Sequence, residues 1–249
     1  MIKKYITRNK FKVTSFKDQG YMISKDDEII EIHPFTKLRV LNPSSLFYAG
    51  VTNLQGEYET THLVDHADSY GIDSERMKKY SSWINKDGTC GMMSAAVLLA
   101  YYQDYIDETI IPPSIRTKGS SSPENLYKTL MKDISSFSPV GTIAYDVSMG
   151  INRFLRRQET NHLFKAKGSL TPTFGIVKTR LEQSQPKPSI IGLNKYLNAP
   201  KNYGNHWVVA YRILELDNQK YYQVHDNHGR YNAIINARWT VGIVRLLKK

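Results

Sequence analysis

The chain has 249 residues, 41% of them hydrophobic and 11% aromatic, which is enough apolar material for a packed core in one large domain or two modest ones and argues against disorder. A single cysteine excludes an internal disulfide framework and any cysteine-rich zinc site. The net charge of +11 suits anionic partners such as nucleic acid, wall polymers or a membrane surface. The basic clusters, however, are short and scattered ("MIKK", "RMKK", "RFLRR", "RLLKK") and are not interleaved with aromatics as in a single-strand binder. No specific nucleic-acid partner is therefore expected, and the charge reads as a solvated face or a loose attraction to an anionic surface or wall polymer.

The N-terminus has a basic start with no apolar core behind it, so it does not read as a secretory signal. The longest apolar run, Met92 to Tyr102, is about half of the roughly 20 residues a membrane span needs, and Ser94 interrupts it. The chain as given is expected to be soluble, without a transmembrane segment.

Along the first 75 residues, "EIIEIHPF" and "KLRVL" suggest short strands, and "LNPSS", "AGVTN" and "LQGEY" suggest turns and loop. Residues 1–75 are read as a β-rich N-terminal subdomain or extension, with a removable prosegment as the alternative, and 76–249 as the main domain. Within the first part, "THLVDHAD" sets His62 and His66 four residues apart, with Asp65 and Asp68 nearby. On a helix this spacing puts two imidazoles on one face, as in zinc sites. The Glu of H-E-x-x-H is missing, so no metal and no cofactor is expected.

From Asp73 the pattern turns helical, with Asp73 or Ser74 capping "DSERMKKYSSWI". A turn at Asp87-Gly88 leads to Cys90 and then to an apolar, Ala- and Leu-rich segment from Gly91 to Ile106, predicted as a buried central helix. "SSPENLYKTLMKDI" predicts a helix capped by Ser122, with Leu126, Leu130, Met131 and Ile134 on one face. "TPTFGIVKTRLEQ" repeats the device with Thr171 and Pro172. Strands follow at 189–194, 206–214, 220–226 and 242–247. The predicted class is α+β: a cysteine-bearing helix, further helices, and a mostly antiparallel C-terminal sheet.

A catalytic thiol needs an environment that favours thiolate, a base within hydrogen-bond reach, and a group that orients the base. Cys90 stands at a predicted helix start, where free N–H groups favour the anion and can bring a thiol from about 8.5 into the range of roughly 3.5–7.5. The same N–H groups could hold an oxyanion, and Gly91 would let a substrate backbone come close. His206 opens an apolar strand. At the end of the next strand, Asp226 or Asn227 could accept from its Nδ1–H and turn Nε2 toward the thiol, with Asp226 preferred by strand alternation. His225 should point away from this site, and His228 reads as a loop residue near the cleft. Trp207, Trp83 and Trp239 read as core or cleft wall.

At these residues the chain resembles the papain-like cysteine peptidases, in particular the bacterial branches related to streptopain and the double-glycine leader peptidases. The resemblance is carried by "GTCGMMSAAVLLAYY", "NHWVVAYRI" and "YYQVHDNHG", in the order Cys, His, Asp/Asn, and covers roughly residues 75–247. The 116 residues from Cys90 to His206 fall short of the roughly 130–150 of plant and lysosomal papains, which points to the compact bacterial branches. The resemblance implies a papain-like fold, a peptide or protein substrate, Cys90 as nucleophile, His206 as base and then acid, and Asp226 as orienter.

Where the family has an oxyanion-hole Gln, this chain has Ile84, and the nearest amide is Asn85. Two other readings of the same residues are transglutaminase-like acyl transfer or wall amidase chemistry, and an inactive papain-like binding protein.

Overall fold

The computed structural model describes the backbone of residues 9–16, 20–25, 28–34, 58–66 and 68–249, apart from 87, 135–141, 172, 198, 200–202 and 217–218. Side chains are described from residue 70 onward, without 215, 216 and 219. The first strands, β1 (Asn9–Phe16), β2 (Gly20–Lys25), β3 (Glu28–Pro34) and β4 (Tyr58–His66), form an antiparallel sheet in the order β3-β2-β1-β4. The "EIIEIHPF" segment is thus a strand, whereas "KLRVL" and the three turn segments up to residue 57 lie outside the described residues. His62 and His66 fall on strand β4 and not on a helix; their side chains also lie outside the described residues.

A second sheet of seven strands carries the site. Its path runs β10 (Ala233–Asn236), β9 (Gln219–His225), β8 (His206–Leu216), β7 (Ser189–Leu193), β11 (Thr240–Lys248), β6 (Phe164–Ser169), with every pairing antiparallel. Strand β5 (Asp68–Gly71) joins this sheet through β8. Since β7 pairs with 206–210 of β8 and β5 with 212–215, while β9 covers 209–216 from the other side, β5 extends the row of β7. The register of β8 against β9 shifts between Ala210 and Arg212. There Gly71 (φ +131°) passes so close to the Tyr211 carbonyl oxygen that a Cβ would come within 2.5 Å of it.

Helix α1 (Ser74–Lys78) is capped by Asp73, whose carboxylate accepts the Glu75 N–H at 3.0 Å. The predicted buried helix is α2 (Cys90–Tyr105), with Ala95 to Ala100 wholly inaccessible, and it packs against β8. Among its buried residues Gln103 and Ser94 are the polar ones, and both are bonded: Gln103 donates to the carbonyls of Ile111 and Arg116, and Ser94 accepts from Asn227.

Helix α3 (Glu124–Asp133) begins one residue later than Ser122 would require. Pro123 is its N-cap, and the Ser122 hydroxyl takes only a 3.4 Å bond from the Glu124 N–H. Leu126, Leu130 and Ile134 are buried, but Met131 is 46% exposed, one step round from the buried face. Helix α5 (Phe174–Leu181) is preceded by Thr173 at the cap position and not by Thr171.

Helix α4 (Ala144–Arg157) and strands β6 and β10 have no counterpart among the predicted elements. Helix α4 lies on β6 so tightly that a Cβ at Gly168 would strike the Ala144 carbonyl oxygen. Among the described residues no helix is long and apolar enough to cross a membrane.

Candidate active site

Cys90 is the first residue of α2, so the N–H groups of its first turn have no intrahelical acceptor. The usual remedy, a capping side chain, is absent. Thr89 at the N-cap instead donates its hydroxyl to the Lys86 carbonyl at 2.6 Å and accepts from the Tyr127 hydroxyl at 2.7 Å. The helix N-terminus therefore stays free for the sulfur. The N–H groups of Trp207, Gly91 and Cys90 itself all favour the thiolate, but burial outweighs them and pushes the Cys90 thiol up from its ordinary value. The expectation of a thiol lowered by the helix start is thereby reversed.

Gly91 also differs from its expected role. Its missing Cβ faces Thr142 Oγ1 (2.7 Å) and Val147 Cγ2 (3.1 Å), so the glycine admits the segment leading into α4 and not a substrate backbone.

His206 is the first residue of β8, paired with Leu193 at the end of β7, and it follows Asn205, whose φ of +58° makes the chain turn sharply into the strand. Its Nε2 lies 2.7 Å from the main-chain carbonyl oxygen of Asp226. A carbonyl only accepts, so Nε2 carries the proton and, in the neutral ring, Nδ1 holds the lone pair. Burial, aided by the adjacent His228 and opposed by the Asp226 bond and charge, pushes the imidazole down to about 4. The predicted tautomer is thus inverted: Nε2, not Nδ1, meets the orienting acceptor.

The acceptor is also not the predicted one. The Asp226 carboxylate is wholly buried and engaged elsewhere: Oδ2 accepts the Tyr203 hydroxyl at 2.6 Å, and Oδ1 accepts the N–H groups of His228 (2.8 Å) and Arg230 (3.0 Å). It builds the turn that presents its own carbonyl to His206.

Asn227 (φ +61°) is buried beside it. Its Nδ2 donates to Ser94 Oγ (2.7 Å) and to the Trp207 carbonyl (2.8 Å), tying α2, β8 and the end of β9 together. His225 is buried behind this turn. Its Nε2 donates to the Tyr80 carbonyl at 2.7 Å, its Nδ1 lies 3.1 Å from Asn227 Oδ1 and 3.3 Å from the Asn227 main-chain nitrogen, and burial pushes the ring down from its ordinary value.

Cys90 and His206 line one cavity of about 350 Å³, together with Thr142, Ile143, Leu193, Tyr196 and Trp207 among others. Trp207 forms part of its wall. Its indole lies over Gly192 and Gly242, where a Cβ would come 3.0 and 3.3 Å from the ring, and its Nε1 donates to the Thr142 carbonyl at 3.0 Å. Trp83 and Trp239 are buried and do not line this cavity.

Ile84 is half exposed and lies against Gly229. The Asn85 amide turns to the Lys86 carbonyl at 2.9 Å and its Oδ1 is buried without a partner; neither Ile84 nor Asn85 lines the cavity. Neither predicted amide is thus placed as an oxyanion donor, whereas the main-chain N–H groups of Cys90, Gly91 and Trp207 all face the sulfur. Among the described residues no group of three or more His, Cys, Asp or Glu side chains is placed to hold a metal ion.

Two residues that sequence reasoning left out or placed only loosely belong to the site. Tyr203 sets its ring edge-on to His206 at 5.7 Å, and His228 stacks on His206 with ring centroids 4.3 Å apart and planes inclined by 25°. The short spacing in "HDNH" was the available signal for His228, but stacking across a turn depends on the left-handed conformation of Asn227.

No family model matches the chain, and no curated protein matches it. Among solved structures it is similar to a double glycine motif protease from an AMS/PCAT transporter, crystallised in complex with the leader peptide, at 17% identity and a TM-score of 0.37, over 74% of this chain and 94% of that one. An overlap this loose transfers neither a residue's role nor an activity.

Proposed function

We propose that this protein is a thiol hydrolase that cleaves peptide or peptide-like amide bonds through a thioester on Cys90, with residues 68–249 as its catalytic part and the preceding sheet as an N-terminal extension. The observation that carries this reading is the shared cavity, into which a helix-start cysteine and a histidine with an unprotonated Nδ1 both open.

The reaction follows from those groups. His206 Nδ1 takes the Cys90 proton as the sulfur bonds to the substrate carbonyl carbon, and the carbonyl electrons move to oxygen, where N–H groups at the α2 N-terminus receive them. The imidazolium then gives its proton to the leaving amine as the C–N bond breaks. Water, deprotonated by the same Nδ1, attacks the thioester and releases the acid and the thiol. Throughout, the Asp226 carbonyl holds Nε2–H and so leaves Nδ1 as the basic nitrogen.

Digestion of a peptide library provides the test. Wild-type protein is expected to cleave, and Cys90→Ala and His206→Ala to lose at least about a hundredfold in rate. Equal cleavage by wild type and Cys90→Ala would sink the proposal. A non-catalytic binding role draws support from one observation, the absence of Ile84 and Asn85 from the cavity lining. In that case wild type and both variants would bind a peptide and leave it intact.

A further inference from the structure

We infer that His228 is a positioning residue for His206: its ring covers one face of the His206 imidazole, and the two rings compete for a single positive charge. The inference deepens the proposed function, since it assigns a control on the proposed base. It stands first on geometry. The rings are stacked at 4.3 Å and 25°, and Tyr203 lies against both, at 5.7 Å from His206 and 5.8 Å from His228.

The stack is built into the backbone. The His228 N–H is bonded to Asp226 Oδ1 and the Tyr203 hydroxyl to Asp226 Oδ2, while the carbonyl of the same Asp226 holds His206 Nε2. One aspartate thus fixes all three rings.

The two imidazoles differ in access: His206 is 7% exposed, whereas His228 is exposed. The titratable and charged groups facing His206 are His228 and Asp226 from the turn after β9, Tyr203 from the turn before β8, and Cys90 across the cavity from α2. Of these, Asp226 favours a cation on His206. A protonated His228 opposes it, and at 4.3 Å the repulsion between two unit charges is substantial even when well screened. Nε2–H, meanwhile, sits beneath a ring and beside a carbonyl, away from bulk water. His228 therefore keeps His206 neutral as the medium acidifies, so that the lone pair on Nδ1 persists below the pH at which a solvated imidazole would lose it.

The experiment is an NMR titration of the histidine ring signals in the full chain, for wild type, His228→Phe and His228→Ala. Phe keeps the stack and removes the charge; Ala removes both. The expected result is a His206 midpoint about one pH unit higher in both variants. Faster exchange of the Nε2 proton is expected in His228→Ala alone. An unchanged His206 midpoint in His228→Phe would overturn the shared charge, and wild-type exchange in His228→Ala would overturn the covering role. Both readouts report on the rings themselves, so they give an answer even if Cys90 hydrolyses nothing. Where cleavage is measured, the acid limb of the rate profile moves up with the His206 midpoint in His228→Phe.

Discussion

At Cys90 and His206 burial acts on two groups of opposite charge type with one result. It disfavours the thiolate and pushes the thiol up, and it disfavours the imidazolium and pushes the ring down to about 4. Both shifts favour a neutral resting pair, and in the proposed reaction the proton would then move during attack, not before it. Labelling with the uncharged reagent iodoacetamide should then rise with pH through a midpoint above the roughly 8.5 of a free cysteine. A plateau of reactivity between pH 4 and 8, the mark of a preformed ion pair, would contradict this.

Asp226 supplies a sharper test. Its carbonyl, not its carboxylate, orients His206, and an asparagine side chain can still accept the two N–H bonds of the turn through its oxygen. Asp226→Asn is therefore expected to keep activity within about tenfold, against the roughly ten-thousandfold loss seen where a carboxylate orients the base directly. Asp226→Ala removes the acceptor for Tyr203 and both N–H groups and should cost about 3 kcal/mol or more in urea unfolding.

Helix α4 sets one wall of the cavity through Thr142 and Ile143, which lead into it, and its seat on β6 depends on glycine. A Cβ at Gly168 meets main-chain atoms of Ala144, which cannot swing aside as a side-chain tip can. Gly168→Ala should destabilise the protein by about 1–3 kcal/mol, read as a melting point lowered by roughly 2–4 °C per kcal/mol. It should also slow Cys90 alkylation or cleavage more than its stability loss explains.

The same element shows where sequence reading stops. α2 was legible because Ala95 to Ala100 are apolar on every side, a pattern that only a buried helix satisfies. α4 was not, because Gly150 lowers its helical signal, and that glycine is there for a tertiary reason: a Cβ would run into Ile134. β10 is four residues long, too short for its periodicity to register. The places of Cys90, His206 and Asp226 at element ends were legible, but neither the tautomer of His206 nor its contact with the carbonyl of Asp226 in place of the carboxylate was. Strand alternation applies up to His225, whereas Asn227 turns left-handed at φ +61° and resets which atoms of Asp226 face His206.

Over the whole molecule the buried His206 and His225 and the partly buried Asp104 couple stability to acid in two stages. His206 has its folded value depressed from the ordinary 6.5 to about 4, and His225 is depressed as well. Between those limits the unfolded chain binds protons that the folded chain refuses. Stability is thus fully present above pH 6.5 and falls as the pH drops toward 4, by about 3 kcal/mol from His206 alone.

Asp104 governs the second stage. Burial works against its ionised form, but bonds from Arg116, Lys79 and Tyr80 and the Gly119 N–H hold its carboxyl well below the usual range. Its contribution is present above its ordinary 3.8 and is lost as the pH falls further. Urea midpoints measured from pH 8 to pH 2 should therefore decline first between 6.5 and 4 and again below about 4. In His206→Gln the first decline should become shallower while the second is unchanged, because the glutamine has no proton to gain and Asp104 sits in a separate network that joins α2 to the loop at Arg116. An undiminished first decline in that variant would show that His206 already accepts its proton in the folded protein near the ordinary 6.5, and would remove the neutral resting pair along with it.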